Sequence, residues 1–132
     1  MSDQPLILII DDEPAFNEIF SAKLSAAGFR VETASSGGEG IEKAKAAKPN
    51  LILLDVKMPG QGGAETLLRI KEDPGIKDIS VVFLTSLGDP RAELQDTQGV
   101  ASKFSKEMGA RGYLRKTDDL DIIVDRVKSF LE

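Results

Sequence analysis

The stretch Leu51-Ile52-Leu53-Leu54-Asp55-Val56-Lys57-Met58-Pro59-Gly60 sets four unbroken apolar residues directly before a carboxylate and a Pro-Gly turn. An apolar run without polar alternation is the signature of a strand covered on both faces. Leu6 to Ile10, followed by Asp11-Asp12, reads the same way, as does Ile79 to Leu84, followed by Thr85-Ser86. Weaker strand candidates lie around Phe29 to Thr33 and Gly112 to Arg115. Five such strands predict a parallel sheet between two helical layers.

The intervening segments carry helical spacing. Pro14 suits a first turn, Phe16, Ile19, Phe20, Leu24 and Ala27 form a stripe, and Gly28 supplies a left-handed stop. A second helix is expected over Glu39 to Ala47, its start weakened by Gly37, Gly38 and Gly40 and its end set by Lys48-Pro49. A third places Ala64, Leu67, Leu68 and Lys71 on one stripe and breaks at Asp73-Pro74-Gly75. Asp89 to Met108 reads as a fourth helical segment interrupted near Gly99, with Ala101, Phe104 and Met108 on one face. The fifth begins near Asp118 and carries Leu120, Ile123, Val124, Val127 and Leu131. Strand and helix alternating five times define a doubly wound α/β domain, expected to span residues 1–132 as one unit.

Composition narrows the chemistry. The 132 residues contain no histidine and no cysteine. That removes the usual general base, the usual transition-metal ligand, thiolate chemistry and disulfides. What remains is carboxylates, lysines, hydroxyls and a hard cation held by oxygen. A net charge of -5 opposes direct nucleic-acid binding. The longest apolar run, Leu6 to Ile10, is far too short to span a bilayer and has no signal-like flank, so a cytoplasmic location without membrane contact is expected.

In doubly wound folds, ligands sit beyond the carboxyl ends of the strands. Strand one ends at Asp11 and Asp12, strand three at Asp55, strand four at Thr85, and strand five leads into Lys116. Each has a structural alternative: a helix cap at Asp11 or Asp12, a turn at Asp55, an ordinary strand threonine, a solvated lysine. Their convergence favours chemistry. Carboxylates about 4 Å apart repel by roughly 4 kcal/mol at an effective dielectric near 20, so three together need a cation or a proton. Oxygen ligands with room for water and phosphate favour Mg2+.

Asp11-Asp12, Asp55-Val56-Lys57-Met58-Pro59-Gly60, Thr85 and Tyr113-Leu114-Arg115-Lys116 together resemble the response-regulator (CheY-like) receiver family over nearly the whole chain. The resemblance implies a flavodoxin-like five-stranded sheet in the order 2-1-3-4-5. It implies that Asp55 takes a phosphoryl group from a histidine kinase, a phosphotransfer partner or a small phosphodonor. It also implies that Asp12, Asp55 and the Lys57 carbonyl hold Mg2+ directly and Asp11 through water. Lys116 and the Thr85 hydroxyl would bind the phosphoryl oxygens. Thr85 and Tyr113 would form the switch, read by a downstream protein at the surface of the fourth helix, fifth strand and fifth helix.

Two departures from the family pattern stand out. Thr117 follows Lys116, where receivers usually carry proline in a cis bond, and Thr85 to Lys116 is longer than usual by about two helical turns. A phosphatase of the haloacid dehalogenase type would need a second aspartate two residues after the nucleophile, where this chain has Lys57. Gly60-Gln61-Gly62-Gly63 fits no nucleotide-binding motif. The remaining rival is a receiver-like interaction module independent of phosphorylation. No DNA-binding, catalytic or membrane module follows Phe130, so the expectation is either a chain that acts through a partner or one cut from a longer protein. Glu13 and Lys57 are expected to pair as a gate at the mouth of the site. Within the extended 88–109 segment, Leu94 to Val100 is expected to be mobile and part of the partner surface.

Overall fold

The computed structural model describes residues 4–56, 62–85 and 109–131. Its elements run β1 (Leu6–Ile10), α1 (Pro14–Ala26), β2 (Arg30–Ala34), α2 (Gly37–Ala47), β3 (Leu51–Asp55), α3 (Gly63–Glu72), β4 (Ser80–Thr85), β5 (Gly112–Arg115) and α4 (Leu120–Leu131). All five strands are parallel, in the order β2-β1-β3-β4-β5. The fifth helix read from the sequence is thus α4. The Asp89 to Met108 segment, including Leu94 to Val100, lies outside the described residues.

The unbroken apolar runs have the meaning assigned to them. Every residue of β1 and β3 is buried, and side chains alternate between two cores because successive strand residues face opposite ways. Leu8, Ile10, Ile52, Leu54, Val81 and Phe83 pack with Ile41 and Ala44 of α2 and Leu67 and Ile70 of α3. Ile7, Ile9, Leu51, Leu53, Val82, Leu84 and Leu114 pack on the other face with Phe20 and Leu24 of α1 and Ile123, Val124 and Val127 of α4. Covering both faces leaves the carboxyl edge as the place where polar side chains meet.

Two helices depart from the sequence reading. α2 starts at Gly37 rather than Glu39, because Ser36 caps it: its hydroxyl accepts from the Glu39 amide at 3.1 Å, while the Glu39 carboxylate accepts from the Ser35 amide at 2.8 Å. This near-reciprocal cap outweighs the poor helix propensity of the glycines. Ser36→Ala is expected to cost about 1 kcal/mol, seen as a lower thermal midpoint; an unchanged midpoint would remove the cap from the account. In α3 the buried face is Thr66, Leu67 and Ile70, whereas Leu68 is 52% exposed. The stripe through Leu67, Leu68 and Lys71 is therefore rotated toward solvent from the true core face, and the Ala64 side chain lies outside the described residues. Gly28 ends the first helix at φ +102°, as expected.

Candidate phosphoacceptor site

Each strand end delivers its residue to the same edge. Asp11 follows β1 and is held by three backbone links. Its amide donates to the Ala34 carbonyl at 3.0 Å, its Oδ1 accepts from the Glu13 amide at 3.0 Å, and its carbonyl accepts from the Asn17 side chain at 2.8 Å. Asp55 closes β3 and is buried, with the Val56 amide donating to the Leu84 carbonyl at 3.0 Å to continue the ladder beyond it. Thr85 closes β4, also buried, its hydroxyl 3.4 Å from the Leu114 carbonyl. The Lys116 amide donates to the Thr85 carbonyl at 2.7 Å and anchors the lysine just past β5.

Asp11, Asp12 and Asp55 offer carboxylate oxygens that all lie within 4.8 Å of one another. Asp11 and Asp55 are buried and Asp12 is half-buried. Lys116 Nζ stands 2.7 Å from Asp11 Oδ2, contacts the Glu13 carboxylate and lies 4.4 Å from the centre of the Phe16 ring. Burial pushes the Asp11 carboxyl above the ordinary aspartate range, and the hydrogen bonds from Lys116 and the Glu13 amide offset this only in part. Burial also pulls the Lys116 ammonium downward, but its bonds to Asp11 and Glu13 and the charge of Asp55 hold it above the ordinary lysine range. Among the described residues, the Lys116 ammonium faces three clustered carboxylates, an arrangement in which negative charge exceeds positive. The donor set, all carboxylate oxygen, fits a hard divalent cation such as Mg2+.

The sequence-predicted residues thus converge, with two qualifications. Lys57 and its carbonyl lie outside the described residues. Tyr113 is half-buried and packs on the α2/α3 core face, opposite Phe83 in register. Among the described residues no peptide bond is cis, so Lys116-Thr117 is trans, and Lys116 nonetheless reaches Asp11. Sequence reasoning missed Phe16 and Asn17 as parts of the site. It gave Phe16 to the helix stripe, and no local signal marks either residue as facing the loop. The expected pairing of Glu13 with Lys57 falls on a residue outside the described ones; among the described residues the Glu13 carboxylate meets Lys116.

Residues 7–128 match the model of the response regulator receiver domain. The chain belongs to that family, whose members are signal-transduction switches of two-component systems. It is 38% identical over 128 residues to the DNA-binding dual master transcriptional regulator RpaA of Synechocystis, covering 96% of this chain and 49% of that protein. It is 31% identical over 125 residues to Protein PilH of Pseudomonas aeruginosa, covering 95% of this chain and 96% of PilH. The chain therefore spans about half the length of one curated relative and nearly all of another. A crystal structure of a putative response regulator from Chloroflexus aurantiacus superposes with a TM-score of 0.82 at 29% identity, covering 98% of each chain. No helix among the described residues is long and apolar enough to cross a membrane.

Proposed function

We propose that this chain is a phosphoacceptor switch in which Asp55 carries a transient phosphoryl group. The observation that carries the reading is the trio of carboxylates within 4.8 Å, closed on one side by Lys116. An Asp55 oxygen attacks the phosphorus of a phosphohistidine on a sensor histidine kinase or phosphotransfer protein. The P–N bond breaks, the imidazole leaves with its electron pair, and the phosphoryl group stays on Asp55 as an acyl phosphate. A small phosphodonor would serve in the same way. Asp12, Asp55 and the Lys57 carbonyl would hold Mg2+ directly and Asp11 through water. The bound ion would offset charge on the phosphoryl oxygens. Lys116 and the Thr85 hydroxyl bind those oxygens from the protein side.

Thr85, drawn toward the phosphoryl group, gives up its long contact with the Leu114 carbonyl, and Tyr113 rotates inward behind it. A downstream protein reads the change on the surface of the 88–109 segment, β5 and α4. The protein acts as one receiver domain over residues 1–132, a switch rather than a turnover enzyme. It works in the cytoplasm and makes no direct contact with nucleic acid or membrane, in keeping with its charge of -5. Incubation with a small phosphodonor and Mg2+ should add one phosphoryl group by intact mass, and none with a chelator. No addition in either case would favour a phosphorylation-independent interaction module.

Mg2+ binding should also be visible as stability. At ten times the dissociation constant, mass action contributes about 1.4 kcal/mol, a rise of about 5 °C in melting temperature for a domain of this size. Asp12→Ala should abolish the rise and Asp11→Ala should reduce it. Equal losses at both positions would contradict the direct and water-mediated roles.

A further inference from the structure

Among the described residues, the ammonium of Lys116 meets Asp11, Glu13 and Phe16, and these three neighbours differ in their freedom to move. Asp11 is fully buried, and its other oxygen is fixed by the Glu13 amide at 3.0 Å. Phe16 is backed by Phe20, with ring centres 4.9 Å apart. Glu13, by contrast, has a side chain 62% exposed and projects from the loop before α1, where its carboxylate can turn into water. An exposed carboxylate gives up little free energy on leaving an ion pair, whereas a buried one gives up much more. Of these three described neighbours, Glu13 is thus the partner that can exchange.

An ammonium has three N–H donors and no acceptor. Asp11 and Glu13 take two directions, and the Phe16 ring face lies over the group. A phosphoryl oxygen on Asp55 that is to be bound by Lys116 competes for those donors with the neighbour that is least tightly held. We propose that Glu13 is a latch on Lys116, a positioning residue that must be displaced when Asp55 is phosphorylated and that competes for the ammonium while the phosphoryl group is present. The inference rests on the reading of Asp55 as the phosphoacceptor. It assigns Glu13 two consequences, slower acquisition of the phosphoryl group and weaker retention of it.

Removing a negative charge near an incoming phosphoryl group speeds its arrival whether or not a latch exists, so the test must separate the two effects. Four chains are compared: wild type, Glu13→Gln, Lys116→Ala and the double variant. Phosphorylation by a small phosphodonor with Mg2+ is followed by intact mass. Binding of beryllofluoride with Mg2+ is followed by the fluorescence of Tyr113, the single tyrosine in a chain without tryptophan. With Lys116 present, Glu13→Gln should raise the phosphorylation rate and the beryllofluoride affinity about threefold each, the scale of a partly exposed ion pair. With Lys116→Ala in place, the same substitution should change neither. Equal values for wild type and Glu13→Gln would overturn the latch alone, provided the wild type is phosphorylated. A threefold effect that persists in the Lys116→Ala background would overturn it in favour of simple charge repulsion. No phosphoryl group on the wild type would overturn the Asp55 reading and the latch together.

Discussion

Asp55→Asn is expected to abolish phosphorylation from any donor while leaving the fold intact. The amide keeps the shape of the carboxylate at the buried end of β3 but lacks the nucleophilic oxygen anion. It also removes one of three charges clustered within 4.8 Å. The variant should therefore melt at the same temperature as the wild type or higher without Mg2+, and respond less when the ion is added. Intact mass after exposure to a small phosphodonor, together with a thermal melt, checks both parts. A stable phosphoryl adduct on the variant would mean that another residue is the acceptor.

Gly63→Ala is expected to be strongly damaging although it adds a single methyl group. A Cβ at this position would sit 2.8 Å from the Val56 Cα and closer still to the Asp55 carbonyl oxygen, so it meets backbone rather than a side chain that can turn aside. The Gly63 amide also donates to the Val56 carbonyl at 3.0 Å, tying the start of α3 to the end of β3. Overpacking of this kind costs about 1 to 3 kcal/mol, a fall of roughly 4 to 12 °C in melting temperature for a domain of this size. Because the displaced backbone carries Asp55, phosphorylation should slow as well. A variant with wild-type melting and wild-type phosphorylation would show that the α3 start can shift freely and does not position the acceptor.

The sequence is most legible where burial is uniform. β1, buried throughout, has the bounds read from its apolar run, and β3 extends one residue further because Asp55 still pairs with Leu84 in the ladder. The five-strand order came from family resemblance rather than from periodicity. Legibility falls where capping or rotation decides. Three glycines hid the true start of α2 because the Ser36 and Glu39 side chains supply what the backbone propensity lacks. Leu68 and Leu67 are adjacent leucines, and only the way α3 lies on the sheet decides that Leu67 is buried and Leu68 exposed.

Within the site, Asp11, Asp12, Asp55, Thr85 and Lys116 could be found because each follows a strand, and strand ends share one edge. The Glu13–Lys116 pair joins residues 103 apart in the chain. Its geometry depends on how the loops after β1 and β5 fold toward each other, which no local pattern encodes. The sequence reading names Lys57 as the partner of Glu13, a residue outside those described, and does not find that Glu13 also meets the cation that Asp11 holds.

The central claim, that the acceptor is Asp55 among three adjacent aspartates, is tested most directly by locating the adduct. The wild-type chain is phosphorylated with a small donor and Mg2+, the acyl phosphate is reduced with hydride, and the resulting homoserine is mapped by peptide mass spectrometry. The account predicts homoserine at position 55 and unmodified Asp11 and Asp12; homoserine at either of those two positions, with Asp55 intact, would contradict it.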